Sequence, residues 1–311
     1  MGNHKQELTS ACFQVPWGVI EAKCWGSESG KPFIGLHGWL DNANTFDKLV
    51  PLLPKDTYLV VIDFPGHGRS SLRPPGAPYT FLDWVIDVKR VIIQLKWTRF
   101  SLIGHSMGAG VAAFYSGVFP DEIEKLILLE YRAPSVAEEK DASSFLVAFT
   151  KNIISNQFKN NFKVFPDVKS VMHKILQANP ELTEESAQIL TERKVHEVDG
   201  SVALRTEPRL RFARGRDVSG NYLVLTQSLV ISILSHIKCP VLVVRSLKCN
   251  PLFRFQDEYM RERFNIMKKS ASFYEYWEVD GNHCVHLNDA GIVAEKINNF
   301  LIRCDILKSK L

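Results

Sequence analysis

The stretch with the clearest chemical content is Gly104-His105-Ser106-Met107-Gly108. A serine hydroxyl attacks an acyl carbon only when it is presented to the substrate and a base takes its proton. Before Ser106, the run Phe100-Ser101-Leu102-Ile103 reads as a short buried strand, and after it Ala109-Gly110-Val111-Ala112-Ala113 reads as a small-residue helix. Ser106 therefore falls on the sharp turn between them. The backbone on such a turn is strained, and side chains two residues before and two after the serine would strike the crossing strand and helix; Gly104 and Gly108 remove those clashes. The same turn aims the N–H of Met107 and the start of the helix at the point where negative charge develops on a carbonyl oxygen. A Gly-x-Ser-x-Gly pentapeptide also arises by chance in small-residue turns, and it is the strand-turn-helix context that gives this one meaning.

A serine on a turn needs a scaffold, and the flanking sequence has the rhythm of one. Residues 11–26 alternate apolar and polar, the pattern of a hairpin with one wet face. Pro32-Phe33-Ile34-Gly35-Leu36 is a short buried strand that runs into His37-Gly38-Trp39-Leu40-Asp41, and with Tyr58-Leu59-Val60-Val61-Ile62 it frames a first helix. Arg73-Pro74-Pro75-Gly76-Ala77-Pro78 is a surface loop, and a helix capped by Thr80 follows over 81–95, periodic in Val85, Val88, Val91, Ile92 and Leu95. Leu126-Ile127-Leu128-Leu129 is again a buried strand, ending at Glu130. From Ala133 to about His236 the character turns to amphipathic helical stretches broken at Pro166, Pro180, Pro208 and Gly220, a helical insertion. Strands return at 240–244 and 273–279 with a helix between them, and a last helix spans 290–302. Short buried strands alternating with helices predict an α/β fold with a mostly parallel sheet covered on both faces. The expected division is a core over 1–132 and 236–308, a helical lid over 133–235, and a tail at 309–311.

The bulk composition excludes several classes. With 311 residues, 45% hydrophobic and 23% charged, the chain is long enough for one large soluble domain or a core with an insertion. A net charge of +4, with its basic residues scattered, does not describe a nucleic-acid protein. The cluster Arg205, Arg209, Arg211, Arg214 and Arg216, interspersed with Glu207 and Asp217, reads as a solvated face rather than an anion site. The six cysteines show no Cys-x-x-Cys spacing, so neither zinc nor a disulfide framework is expected, and reduced intracellular thiols are. No apolar run is long enough to span a bilayer, and Met1-Gly2-Asn3-His4-Lys5-Gln6 lacks the apolar core of a signal peptide. Ser309-Lys310-Leu311 is the tripeptide read by the peroxisomal import receptor, which predicts peroxisomal residence in place of the cytoplasm.

His37-Gly38-Trp39, Asp63-Phe64-Pro65-Gly66-His67-Gly68-Arg69-Ser70, the pentapeptide around Ser106, and Gly281-Asn282-His283 follow one another in an order that resembles the α/β-hydrolase superfamily. The resemblance covers nearly the whole chain, most weakly in the insertion. The ending Gly-Asn-His-Cys-Val-His-Leu and the peroxisome-type tail are similar to those of the serine hydrolase-like proteins.

This resemblance implies that Ser106 is the nucleophile and His283 its base, ahead of His286, which a helix beginning there would turn elsewhere. It implies that the backbone N–H groups of Trp39 and Met107 hold the oxyanion, each worth on the order of ~3 kcal/mol. His37 then props the oxyanion loop, His105 packs or hydrogen-bonds beside the nucleophile, and Asp63 with Arg69 holds its own loop. The third member departs from the common pattern. The turn after strand 240–244 reads Arg245-Ser246-Leu247-Lys248-Cys249-Asn250-Pro251, with no carboxylate. Glu130, at the end of the neighbouring strand, resembles the acid of certain haloalkane dehalogenases, and parallel strands end on the same side of a sheet. Asn250 as a neutral orienter, Asp257 and Glu258 are the alternatives; Cys249 does not suit the role. Serine rather than aspartate at the turn favours acyl transfer to water over the alkyl-ester chemistry of dehalogenases and epoxide hydrolases.

Two functions are thereby expected. One is an esterase-type serine hydrolase acting on a small acyl or lipid-like substrate, needing neither metal nor organic cofactor, with Phe145, Phe149, Phe162 and Phe165 of the insertion as apolar walls. The other is a binding or scaffold protein whose acid has been lost.

Overall fold

The computed structural model describes residues 8–136, 138–157, 162–211, 225–248 and 257–310. In chain order they form β1 (Leu8–Val15), β2 (Gly18–Trp25), β3 (Lys31–Leu36), β4 (Thr57–Ile62), α1 (Phe81–Leu95), β5 (Phe100–His105), α2 (Met107–Val118) and β6 (Ile123–Leu129). Next come α3 (Ala142–Asn156), β7 (Val164–Phe165), α4 (Val168–Ala178), α5 (Glu184–Lys194), β8 (Val195–Val198), β9 (Ser201–Leu204), α6 (Pro208–Arg211) and α7 (Gln227–Leu234). The chain closes with β10 (Val241–Ser246), α8 (Asp257–Ser270), β11 (Tyr274–Val279), α9 (Val285–Asn288) and α10 (Ala290–Lys308).

An eight-stranded sheet runs in the order β1-β2-β4-β3-β5-β6-β10-β11. Only β1 and β2 run against their neighbours; every pairing from β4 across to β11 is parallel. The apolar runs of the strands are continuous because both faces are covered. Ile34, Val60, Leu102, Leu126, Leu128 and Val241 face a core shared with α1, α2, α7 and α8. Their alternates Phe33, Leu59, Val61, Ile103, Ile127 and Leu242 face α10 on the other side. Strand ends thus converge on one edge, where β5 and β6 lie side by side with His105 opposite Leu129.

Local chemistry explains most boundaries. At the start of α1, Thr80 accepts from the Asp83 N–H while the Asp83 carboxylate accepts from the Thr80 N–H, so two orphan donors are satisfied reciprocally. The helix expected between β3 and β4 is instead two 3-10 turns, Ala43–Phe46 and Val50–Leu52. Asn42 caps the first through its side chain, and Pro51 in the second removes a donor that a longer helix needs. The last helix runs past Ile302 to Lys308.

Between β6 and β10 the chain is not purely helical. A three-stranded antiparallel sheet, β7-β9-β8, lies among its helices. Asp199 and Gly200, both at positive φ (47° and 75°), make the β8–β9 turn, as a type I′ hairpin requires. Phe165 packs within this insertion against Val171, Val202 and Leu204, and Phe145, Phe149 and Phe162 are half-buried. The reading of the arginine cluster as a solvated face fails at Arg209 and Glu207. The Arg209 guanidinium donates to the carbonyls of Arg73 (2.7 Å), Pro74 (2.9 Å) and Ala77 (3.0 Å) and to the Glu207 carboxylate (2.8 Å). Glu207 is itself buried and accepts from the Tyr79 hydroxyl. Loop carbonyls with no ladder partner account for this inward turn. Arg214, Arg216, Asp217 and Gly220 lie outside the described residues.

Candidate active site

Ser106 occupies the turn between β5 and α2 at φ 53° and ψ −111°, a strained conformation for a residue with a side chain. It persists because its surroundings fix it. The Ser106 N–H donates to the Leu129 carbonyl (2.9 Å) and its carbonyl accepts from the Gly110 N–H (3.2 Å). A Cβ on Gly104 would overlap the Gly108 carbonyl, and one on Gly108 would overlap the carbonyl of Leu36. The two glycines let strand and helix close on the serine.

His283 reaches the serine from the loop between β11 and α9. Its Nε2 lies 3.0 Å from Ser106 Oγ, and its Nδ1 lies 3.1 Å from Glu130 Oε2. With Nδ1–H donated to the carboxylate, Nε2 presents a lone pair to the serine hydroxyl. Glu130 follows the last residue of β6 at φ 52°, its N–H donating to the Val244 carbonyl. Its second oxygen, Oε1, accepts from the Ser246 N–H at the end of β10, and Arg132 Nη2 donates to Oε2 at 3.1 Å. The carboxylate is 1% exposed. Burial pushes it up, but the hydrogen bond and charge of His283, the Arg132 guanidinium and the Ser246 N–H outweigh burial and bring it down to about 2. A group so placed stays ionised across the physiological range.

The other candidates for the acid separate clearly. Cys249 and Asn250 lie outside the described residues, as does the side chain of Asp257, and Glu258 is exposed. The end of β10 contributes a backbone N–H to Glu130 in place of a carboxylate.

His37, His67, His105 and His286, which surround this site, are buried, and burial pushes each of them below the usual imidazole range. His286 Nε2 lies 2.7 Å from Thr45 Oγ1, and its ring lies tilted by 31° against that of His105, with centroids 3.8 Å apart. Burial, then the neighbouring His283, bring it down to about 3. His105 Nε2 lies 2.9 Å from the His283 carbonyl, so it holds the backbone of that residue. His37 donates from Nδ1 to the Gly38 carbonyl (2.8 Å) and accepts the Phe64 N–H at Nε2 (3.0 Å), pinning the loop that follows β3. That loop rests on the serine. A Cβ on Gly38 would lie 2.9 Å from His105 Nδ1 and 3.5 Å from Ser106 Cβ. Trp39, next along, is half-buried against His67 and Trp84, with ring centroids 5.9 Å and 5.7 Å away. Met107 is the first residue of α2, where an N–H has no partner within the helix. Asp63 holds its loop as expected, accepting from Arg69 N–H (2.7 Å) and Ala43 N–H (2.8 Å).

Four residues near this site had no motif to announce them. Arg132 stands two residues after Glu130, and Ser246 lends only its backbone. Arg193 of α5 donates from Nε to Asp63 Oδ2 at 2.7 Å in a buried ion pair. Glu181, between α4 and α5, accepts the His283 N–H at 3.0 Å. The break at Pro180 marks that last turn, but nothing local says what it touches. Among the described residues no group of three or more His, Cys, Asp or Glu is arranged to hold a metal ion. No described helix is long and apolar enough to cross a membrane.

Comparison with known proteins identifies the fold. The α/β-hydrolase-fold family matches residues 31–227. Serine hydrolase-like protein 2 of Homo sapiens is 34% identical over 307 residues, covering 96% of this chain and 95% of its own. Among solved structures, a hypothetical protein of Pseudomonas aeruginosa PAO1 superposes with a TM-score of 0.80 at 30% identity, over 96% of this chain and 99% of that one. The thioesterase domain from the curacin biosynthetic pathway superposes with a TM-score of 0.78 at 25% identity, over 94% and 99%. A fold with the serine on a strand-to-helix turn, a late histidine and relatives of this extent admits one conclusion: the chain belongs to the α/β-hydrolase family, alongside the serine hydrolase-like proteins.

Proposed function

We propose that this hydrolase cleaves a carboxylic ester or thioester through an acyl-enzyme on Ser106, with His283 as base and Glu130 as the acid of a Ser-His-Glu triad. The observation that carries the reading is the unbroken line from Ser106 Oγ to His283 Nε2 (3.0 Å) and from His283 Nδ1 to Glu130 Oε2 (3.1 Å). Ser106 Oγ attacks the carbonyl carbon as its proton passes to Nε2, and the N–H groups of Trp39 and Met107 receive the developing oxyanion. His283 then protonates the leaving alcohol or thiol. A water, deprotonated by the same nitrogen, releases the acid and restores the serine. Glu130 keeps the Nδ1–H tautomer and offsets the imidazolium charge throughout. The similarity to a thioesterase domain supports the thioester branch. A binding-only reading draws on the missing carboxylate after β10, and Glu130 beside His283 weighs against it.

We also propose that Ser309-Lys310-Leu311 directs the chain to the peroxisome; Ser309 and Lys310 are exposed after α10, and Leu311 lies outside the described residues. Unchanged peroxisomal import after deletion of the tripeptide defeats that proposal.

The enzymatic reading is tested with a fluorophosphonate probe. Wild type is expected to label, Ser106→Ala to give no signal, and Glu130→Gln to label about a hundredfold more slowly or worse. Silence from folded wild-type protein sinks the reading, and wild-type labelling by Glu130→Gln removes Glu130 from it.

A further inference from the structure

The backbone of His283 is gripped from both sides. Its carbonyl oxygen accepts from His105 Nε2 (2.9 Å), which belongs to the nucleophile turn. Its N–H donates to Glu181 Oε2 (3.0 Å), which belongs to the insertion. Glu181 makes more than this one contact with the loop. Its carbonyl accepts from Asn282 Nδ2 (2.8 Å) and from Asn288 Nδ2 (2.7 Å), on either side of His283 in sequence. Asn288 Oδ1 in turn accepts the Thr183 N–H (3.2 Å), and Asn282 Oδ1 accepts from Cys284 N–H (3.0 Å) and Asn288 Nδ2 (3.1 Å).

One turn of the insertion therefore closes a ring of hydrogen bonds around residues 282–288, and a charged acceptor sits on the base's own amide. Such charge-assisted bonds are the stronger kind, and like any hydrogen bond they fix an orientation. Their direction matters because the His283 ring must keep two contacts at once, 3.0 Å to the serine and 3.1 Å to Glu130. A shift of the loop lengthens one as it shortens the other. Burying a wall for the substrate requires no carboxylate here.

Resting on the assignment of His283 as the base, we infer that Glu181 is a positioning residue for it, and that the α4–α5 turn of the insertion is a working part of the triad as well as a cover over it. Glu181 does not touch the reacting atoms. It sets where the imidazole stands, so its loss lowers the rate of the chemical step and leaves substrate binding alone. A role confined to fold stability would instead lower the melting temperature and leave the folded fraction fully reactive.

The experiment measures fluorophosphonate labelling rates and, with a p-nitrophenyl ester, kcat and KM, for full-length wild type, Glu181→Ala and Glu181→Gln, each corrected for folded fraction by thermal melting. Glu181→Ala is expected to lose about tenfold or more in labelling rate and in kcat with KM unchanged, the scale set by sub-ångström misplacement of a catalytic group. Glu181→Gln keeps an oxygen acceptor and is expected to stay within about threefold of wild type. Wild-type rates in folded Glu181→Ala overturn the inference, as does a loss that falls on KM alone. Should Glu181→Ala not fold, Glu181→Met keeps the bulk of the side chain and removes the acceptor from the His283 N–H; slower labelling upholds the inference and wild-type labelling overturns it. Because wild type and Ser106→Ala are run alongside, failure of the triad reading appears as wild-type silence, while failure of this inference alone appears as reactive wild type with an equally reactive Glu181→Ala.

Discussion

Two limbs of the same insertion present themselves differently, one through polar bonds to the core and one through apolar surface left in water. The α4–α5 limb is tied down by directional polar bonds. Arg193 pairs with Asp63 in the interior, Asn42 and Asn44 donate their side-chain amides to the carbonyls of Leu190 and Ile189 at 2.9 Å and 2.8 Å, and Glu181 holds the His283 loop. The α3 limb leaves much apolar surface in solvent: Leu146 and Val147 are 50% exposed and Ile154 is 59% exposed. Apolar burial has no preferred direction, whereas an amide or carboxylate bond fixes an orientation. The lesson is a division of labour. The α4–α5 limb is bonded like a core element, and the α3 limb carries apolar surface left in water.

The sharpest way to break this contrast is to remove the deepest tie. Arg193→Met leaves Asp63 buried with only the Ala43 and Arg69 N–H groups, and stranding one partner of a buried pair costs about 3–5 kcal/mol. Burial already pushes the Asp63 carboxyl up, and without the guanidinium it rises further. The penalty therefore grows as pH rises and the carboxylate must be charged in the native state. Urea midpoints at pH values of about 5 and 8 measure both the size and the slope. Lys48→Met, which breaks an exposed pair with Glu185 on the same limb, is the control and costs about 0–1 kcal/mol. Equal losses from the two variants dissolve the picture of a buried lock.

The next effect concerns the histidines beneath the clasped limb. Burial holds His67 and His286 down to about 3, and it lowers His37 and His105 well below the usual range. Unfolded histidine takes a proton near pH ~6.5. The depressed native values mean that the stability these groups contribute is fully present above that pH and is lost progressively as pH falls toward about 3. Melting temperature is expected to fall steadily between about pH 6.5 and 4. His286→Asn, which can keep a bond to Thr45, should flatten the slope. No histidine lies on α3, so substitutions there leave the slope as it is.

What was legible in the sequence follows the same contrast. The serine turn could be read because its requirements are local: glycines at fixed offsets between a strand and a helix. Helix α1 was legible for the same reason, since its capping box spans four residues. Glu130 could be reached one step further out, through the rule that parallel strands end together. The Glu181 and Arg193 contacts join residues 102 and 130 apart in the chain, and no spacing or composition foretells such a meeting. The small sheet β7-β9-β8 was missed because its strands have two to four residues, too few for a period to register. Asp199-Gly200 between two short apolar-polar runs was the signal available for it.

The smallest effect is expected on α3, and it tests the other half of the contrast. Leu146 and Ile154 already leave at least half of their surface in water, so replacing both by serine removes little area that folding had buried. Serine lowers helix propensity by a few tenths of a kcal/mol at each position, and α3 has no side-chain cap at Asp141 to defend its start. The double variant is therefore expected to cost less than about 1 kcal/mol in urea and to label with a small fluorophosphonate at the wild-type rate, since neither residue touches the Ser106–His283–Glu130 line. Against that, Glu181→Ala alters one carboxylate on the opposite limb and slows the same reaction. If the α3 variant loses as much stability as Arg193→Met, α3 is held as firmly as α5, and the exposed apolar surface is part of the fold's support instead of a separate, loosely joined limb.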